Sequence, residues 1–134
     1  MTDSASLQPL DLVSRAAALP PLVTAVVHPC DPCSIAAVVA ARDRGLITPI
    51  LVGPPPKIEA AAAEAGVSLA GLRLEAAPHS HAAAALAVDL ARRAEAEALM
   101  KGSLHTDELM AEVVKRDAGL RTARRISHVF VMLV

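Results

Sequence analysis

Residues 97–134 read EALMKGSLHTDELMAEVVKRDAGLRTARRISHVFVMLV, and the way this stretch alternates decides the fold. Ala98-Leu99-Met100 is a short apolar strand. It breaks at Lys101-Gly102-Ser103-Leu104-His105-Thr106, and Leu109, Met110, Val113 and Val114 then follow helical spacing. Thr106 is expected to cap this helix, with Asp107 and Glu108 in its first turn beside the positive end of the helix dipole. A basic segment follows, carrying Lys115, Arg116, Arg121, Arg124 and Arg125. The spacing then predicts a second apolar strand over Val129 to Val134. Strand, polar loop, helix, basic loop and strand together make a place to hold an anion.

Upstream, the same alternation recurs. Leu22 to Val27 is a valine-rich strand candidate, and His28-Pro29-Cys30-Asp31 is its turn. Asp31 suits a helix cap and Pro32 the first helical position, where its missing N–H costs nothing. That helix runs through Ile35, Val38, Val39 and Ala40 to Arg44, and Gly45 stops it. Ile47 to Val52 is the next strand, closed by a loop at Gly53-Pro54-Pro55-Pro56. Ile58 to Ala65 is a helix ending at Gly66. Leu72 and Leu74 alternate with charged residues over 67–75, which suits a short strand near a sheet edge. Ser80 is expected to cap a long alanine-rich helix through Ala94.

Residues 1–21 read as a separate, loose segment, with a short helix over Leu10, Leu12, Val13, Ala16, Ala17 and Leu19 that ends at Pro20-Pro21. Over 22–134 the expectation is an α/β fold: an open, mostly parallel sheet with helices on both faces and right-handed crossovers.

The chain has 134 residues, enough for one domain or part of one. Hydrophobic residues make up 54%, so core material is plentiful. Phe130 is the one aromatic residue, which leaves nothing on which to stack single-stranded bases. A net charge of −1 also argues against a nucleic-acid partner. No apolar run approaches the ~18 residues of a transmembrane helix, and Met1-Thr2-Asp3 lacks the start of a secretory signal. The cytoplasm is the expected compartment, where Cys30 and Cys33 would be reduced. The chain stops on Phe130-Val131-Met132-Leu133-Val134, a strand that would want cover on both faces. This reads as a fragment of a larger enzyme.

Three groups of residues could carry chemistry. Lys101 to Thr106 follows a strand and opens a helix, where free N–H groups and the helix dipole favour an anion. Gly102 permits close backbone approach, while Ser103, His105 and Thr106 supply hydrogen bonds and Lys101 a positive charge. The plainer reading is an ordinary strand-to-helix turn. Arg121 and Arg124 suit bidentate phosphate recognition, or else form a solvated loop. The two loops flank successive expected strands, which points to one shared site. Cys30-Asp31-Pro32-Cys33 has the CxxC spacing of a thiol-redox module at a strand-to-helix turn, or is simply two small turn residues. With His28 this pair offers three metal ligands and no local fourth, so no metal is assigned. His79-Ser80-His81 heads a helix, and His128 is expected as an interior histidine at a strand start.

Ala98-Leu99-Met100-Lys101-Gly102-Ser103-Leu104-His105-Thr106-Asp107-Glu108-Leu109 resembles the phosphate acetyltransferase and phosphate butyryltransferase family. So do residues 121–132, RTARRISHVFVM, together with Ala25 to Asp31, Pro49 to Pro54 and Ala77 to Ala82. The resemblance implies two α/β domains with the site in the cleft between them, here with an incomplete first domain. It implies transfer of an acyl group between coenzyme A and inorganic phosphate, with coenzyme A as substrate and no bound cofactor or metal. It also implies a homodimer in the full-length form. Lys101, Gly102, Ser103, His105, Thr106, Arg121 and Arg124 would hold phosphate or acyl phosphate on the first domain's side. Family members are much longer, which implies that the residues activating the coenzyme A thiol lie beyond Val134. The acetyl branch tends to place an Arg near the position of Met110 and Ala111. The alternative readings are a small CxxC thiol-redox module and a non-catalytic phosphate-binding remnant.

Overall fold

The structure, a computed structural model, describes residues 9–132. Helix α1 spans Pro9–Ala17 and strand β1 Leu22–Val27. Then come α2 (Pro32–Asp43), β2 (Ile47–Gly53), α3 (Pro55–Ala65), β3 (Arg73–Ala76), α4 (Ser80–Arg92), β4 (Ala98–Lys101) and α5 (Thr106–Val113). The four strands form one sheet in the order β3-β2-β1-β4, and every neighbouring pair is parallel.

Strand residues point alternately to the two faces. From β1, Ala25 and Val27 join Ile50 and Val52 of β2 under α4 and α5. Val26 and Leu51 face the other way, onto Ile35 and Val38 of α2 and Ile58 of α3. Both faces of the central strands are therefore covered, as a parallel sheet requires. Each fully buried Val, Leu or Ile stabilises the fold by about 1.5–3 kcal/mol.

Local signals place several helix ends. Asp31 caps α2, its side chain accepting from the Ser34 N–H at 2.6 Å, with Pro32 in the first turn. Gly66 ends α3 in the left-handed region, at φ 71°. Two expected caps fall one residue early. His79, not Ser80, caps α4, its Nδ1 accepting from Ala82 N at 3.1 Å. His105, not Thr106, is the cap residue of α5, and Thr106 is its first helical residue. Pro55 and Pro56 also belong to α3 rather than to the loop before it.

The expected fifth strand does not form over 129–132. These residues are irregular, and Val129, Phe130, Val131 and Met132 are exposed; Leu133 and Val134 lie outside the described residues. A strand apolar on both faces needs a layer over each. His128, expected inside, is exposed and packs its ring 4.3 Å from that of Phe130. Helix α1 forms as expected, but its described side chains are exposed, Leu12 and Val13 among them. The expected loose stretch 1–8 lies outside the described residues.

Candidate functional site

From β1 the chain steps outward to β2 and β3, then returns across the sheet to place β4 on the other side of β1. Beyond the carboxyl ends of β1 and β4 the loops therefore diverge, and in open α/β sheets ligands bind at such a reversal. Val27 and Lys101 are register partners at that end.

The two loops are bound together there. Gly102 N donates to Val27 O at 2.8 Å and Ser103 N to His28 O at 2.8 Å. The Ser103 hydroxyl donates to His28 O at 2.8 Å and accepts from Cys30 N at 3.1 Å. His28 Nδ1 lies 2.9 Å from Ser103 O. A side chain at Gly102 would place its Cβ 2.6 Å from both Val27 O and His28 O. The glycine thus serves the close approach of β4 to β1.

Above this junction opens a cleft of about 510 Å³, lined by His28, Ser80, Ser103, Leu104, His105 and Glu108. It has both anion-binding and anion-repelling features. The first N–H groups of α5, at Thr106 and Asp107, have no acceptor among the described residues, so they are open to an anion. Glu108 faces into the cleft, its Oε1 3.4 Å from the Ser80 hydroxyl.

The expected site residues divide. Ser103 and His105 line the cleft. Gly102 stands at its base and Thr106 at the exposed start of α5. Lys101 is exposed and folds its ammonium onto Gly102 O at 3.2 Å. Arg121 and Arg124 line a different hollow, of about 450 Å³, beside Val114. No lining residue is common to the two hollows, so the structure does not bring Arg121 and Arg124 into the cleft with Ser103 and His105.

The cysteines are free. Burial pushes the Cys30 thiol up, with the Lys57 charge opposing and Asp31 adding to the rise. A nucleophilic redox thiol needs the opposite shift. Among the described residues, no three His, Cys, Asp or Glu side chains are grouped to hold a metal.

Comparison with known proteins gives 56% identity over 121 residues to a phosphate acetyltransferase of Rhizobium meliloti, covering 90% of this chain and 38% of that protein. A phosphate acetyltransferase of Rickettsia prowazekii is 49% identical over 132 residues, 98% of this chain and 38% of its own length. The chain belongs to the phosphate acetyl/butyryltransferase family. A phosphate butyryltransferase of Clostridium acetobutylicum is more distant, 32% identical over 91 residues, 68% of this chain and 30% of that protein. The chain thus spans about 38% of the length of the acetyltransferases named here. No protein-family model matches it.

Within this phosphate acetyl/butyryltransferase stretch, sequence reasoning missed His28, Ser80 and Glu108 as cleft residues. A signal existed for His28, which immediately follows the most valine-rich strand. What the sequence lacked was the order that sets β1 beside β4.

Proposed function

We propose that this chain is part of a phosphate acyltransferase that moves an acyl group between coenzyme A and inorganic phosphate. The reading is carried by the 56% identity to a phosphate acetyltransferase over 90% of the chain. The cleft at the strand-order reversal supports it. A phosphate there meets the open N–H groups of Thr106 and Asp107, the hydroxyl of Thr106 and the ring of His105, beside Ser103, whose hydroxyl proton is given to His28 O. Each bond to the charged group contributes about 1.5–3 kcal/mol. Lys101 adds positive charge nearby, and Arg121 and Arg124 act as charge partners brought in from their own hollow. Catalysis comes from positioning and from stabilising the oxyanion as phosphate attacks the thioester.

In this reading, 22–134 is the front of a first α/β domain and 1–21 a separate segment. Coenzyme A is a substrate, with no bound cofactor. The working form is a cytoplasmic homodimer without nucleic-acid or membrane partners. Among the described residues no helix is long and apolar enough to cross a membrane. Because the chain spans 38% of the acetyltransferases it matches, the 134 residues alone bind phosphate weakly and turn over little or not at all.

The test is phosphate-dependent release of free thiol from acetyl-CoA and butyryl-CoA. It is run on the 134-residue chain and on the protein as its source makes it. Release by the latter, faster with one acyl group, confirms the activity and assigns the acyl preference. Full turnover by 134 residues would overturn the partial-site reading, and no release by either would overturn the acyltransferase reading.

A further inference from the structure

His28 occupies the left-handed region at φ 55° without being glycine. Such a conformation costs on the order of 1–3 kcal/mol and persists only where its surroundings enforce it. Here they do. His28 N donates to Val52 O at 2.7 Å, and its carbonyl accepts from Cys30 N at 2.9 Å and from both Ser103 N and Ser103 Oγ at 2.8 Å. The result turns the ring toward β4, where Nδ1 meets Ser103 O at 2.9 Å. A carbonyl oxygen only accepts, so the hydrogen-bonding geometry assigns the proton to Nδ1. In the neutral ring the lone pair is then on Nε2. Nε2 has no hydrogen-bond partner among the described residues, and His28 lines the cleft.

A base oriented by a third group, with its free nitrogen at a ligand cleft, is the arrangement that proton transfer requires. His105, the other cleft histidine, makes no side-chain capping bond and has no comparable orienting partner among the described residues. We propose that Nε2 of His28 is the proton-transfer group of this cleft. The inference rests on the acyltransferase reading above. Nε2 takes the proton of hydrogen phosphate as the phosphate oxygen bonds to the thioester carbonyl carbon. The C–S bond then breaks and its electron pair leaves on sulfur, which takes a proton from solvent, while Nε2–H gives its proton up to solvent. The products are acyl phosphate and coenzyme A thiol, with His28 neutral again.

Two measurements test this. The first is ¹⁵N NMR of the histidine rings of the 134-residue chain during titration with inorganic phosphate. His28 is assigned by its loss in His28→Asn. The expected result is a protonated Nδ1 and an unprotonated Nε2 that shifts as phosphate binds. The opposite tautomer, or an Nε2 indifferent to phosphate, overturns the proposal whatever the turnover.

The second measurement is thiol release by the protein as its source makes it, comparing wild type with His28→Asn. Asparagine tolerates the positive φ, and its amide can donate to Ser103 O in place of Nδ1, but it has no basic nitrogen. Unchanged amide shifts at Cys30 and Ser103 check the fold. A fall in kcat of about 10²–10⁴-fold with KM for phosphate within a few fold is expected. A variant within about threefold of wild type in kcat overturns the role of His28 and leaves the acyltransferase reading intact. A wild type without activity overturns that reading and the proton transfer with it, even where Nε2 still responds to phosphate.

Discussion

Ser103 and His28 hold one another through three short hydrogen bonds, with the Ser103 hydroxyl also 3.4 Å from His28 Nδ1. The Ser103 amide and hydroxyl both donate to His28 O at 2.8 Å, and His28 Nδ1 donates to Ser103 O at 2.9 Å. Two loops separated by 75 positions are thereby joined into one rim. The hydroxyl that looked like a phosphate ligand in the sequence is also the clasp between β1 and β4.

Ser103→Ala removes the hydroxyl's bonds to His28 O and Cys30 N. Cys30 N keeps His28 O at 2.9 Å, so no buried donor is orphaned. The expected loss is about 1–2 kcal/mol in urea unfolding, with faster hydrogen exchange at the Cys30 amide. Phosphate affinity should weaken only modestly. Lost affinity at unchanged stability would mean that the hydroxyl is a ligand and the clasp unimportant.

Gly102→Ala drives a methyl group to within 2.6 Å of two backbone oxygens, which cannot swing aside as a side chain would. A loss at or above the upper end of about 1–3 kcal/mol is expected, with chemical-shift changes at His28. Gly45→Ala is the comparison. Nothing lies within 4 Å there, and only its φ of 73° is strained, so about 1–2 kcal/mol should be lost with the cleft undisturbed. Equal effects at the two positions would refute the close-approach explanation.

These positions also show how far the sequence could be read. The Asp31 cap and Pro32 start of α2 were legible because each depends on neighbours within three residues. The parallel sheet was legible because β-branched runs alternate with helical spacing. The cap of α4 is misplaced by one residue because an imidazole nitrogen can accept a backbone N–H much as a serine oxygen does, whereas His105 takes the cap position of α5 with no side-chain capping bond. The role of His28 was not legible, because it depends on a strand order that no local pattern encodes. Residues 129–132 failed for the converse reason. They have strand composition, but a strand needs covering layers as well as composition.

The Asp31 cap predicts a pH response. The Ser34 backbone N–H holds the Asp31 carboxyl below its ordinary value of 3.8, with the Ser34 side chain and the Lys101 charge adding to this and partial burial opposing it. A depressed folded value means that the stabilisation is present above the unfolded value and is lost as pH falls through the folded one. Unfolding midpoints should therefore drop on acidification below about pH 4. Asp31→Asn, which still caps, should cost little at neutral pH and flatten that part of the response. Asp31→Ala should lose about 1 kcal/mol at neutral pH. An acid response unchanged in Asp31→Asn would place its origin in another carboxyl.

The last prediction concerns the helix that carries one wall of the cleft. Glu112 on α5 has only 5% of its side chain exposed, yet it is ionic with Lys115 at 2.8 Å and faces His81 of α4 at 3.3 Å. Its partners are 51% and 62% exposed, so removing the carboxylate leaves no charge stranded in the interior. The loss in Glu112→Ala should accordingly be about 1–2 kcal/mol, below the usual 3–5 for breaking a fully buried pair. His81→Ala removes the interhelical partner of Glu112, which is mostly in water, and should lose under about 1 kcal/mol. Glu112→Met fills the same volume without charge and should be close to neutral in stability. Because α5 carries Glu108 and follows directly on His105, Glu112→Ala should also raise amide exchange through 106–113, measured by hydrogen exchange, while His81→Ala should not. If His81→Ala loosens α5 as much as Glu112→Ala does, the α4–α5 bridge holds the cleft wall, rather than packing around the buried carboxylate.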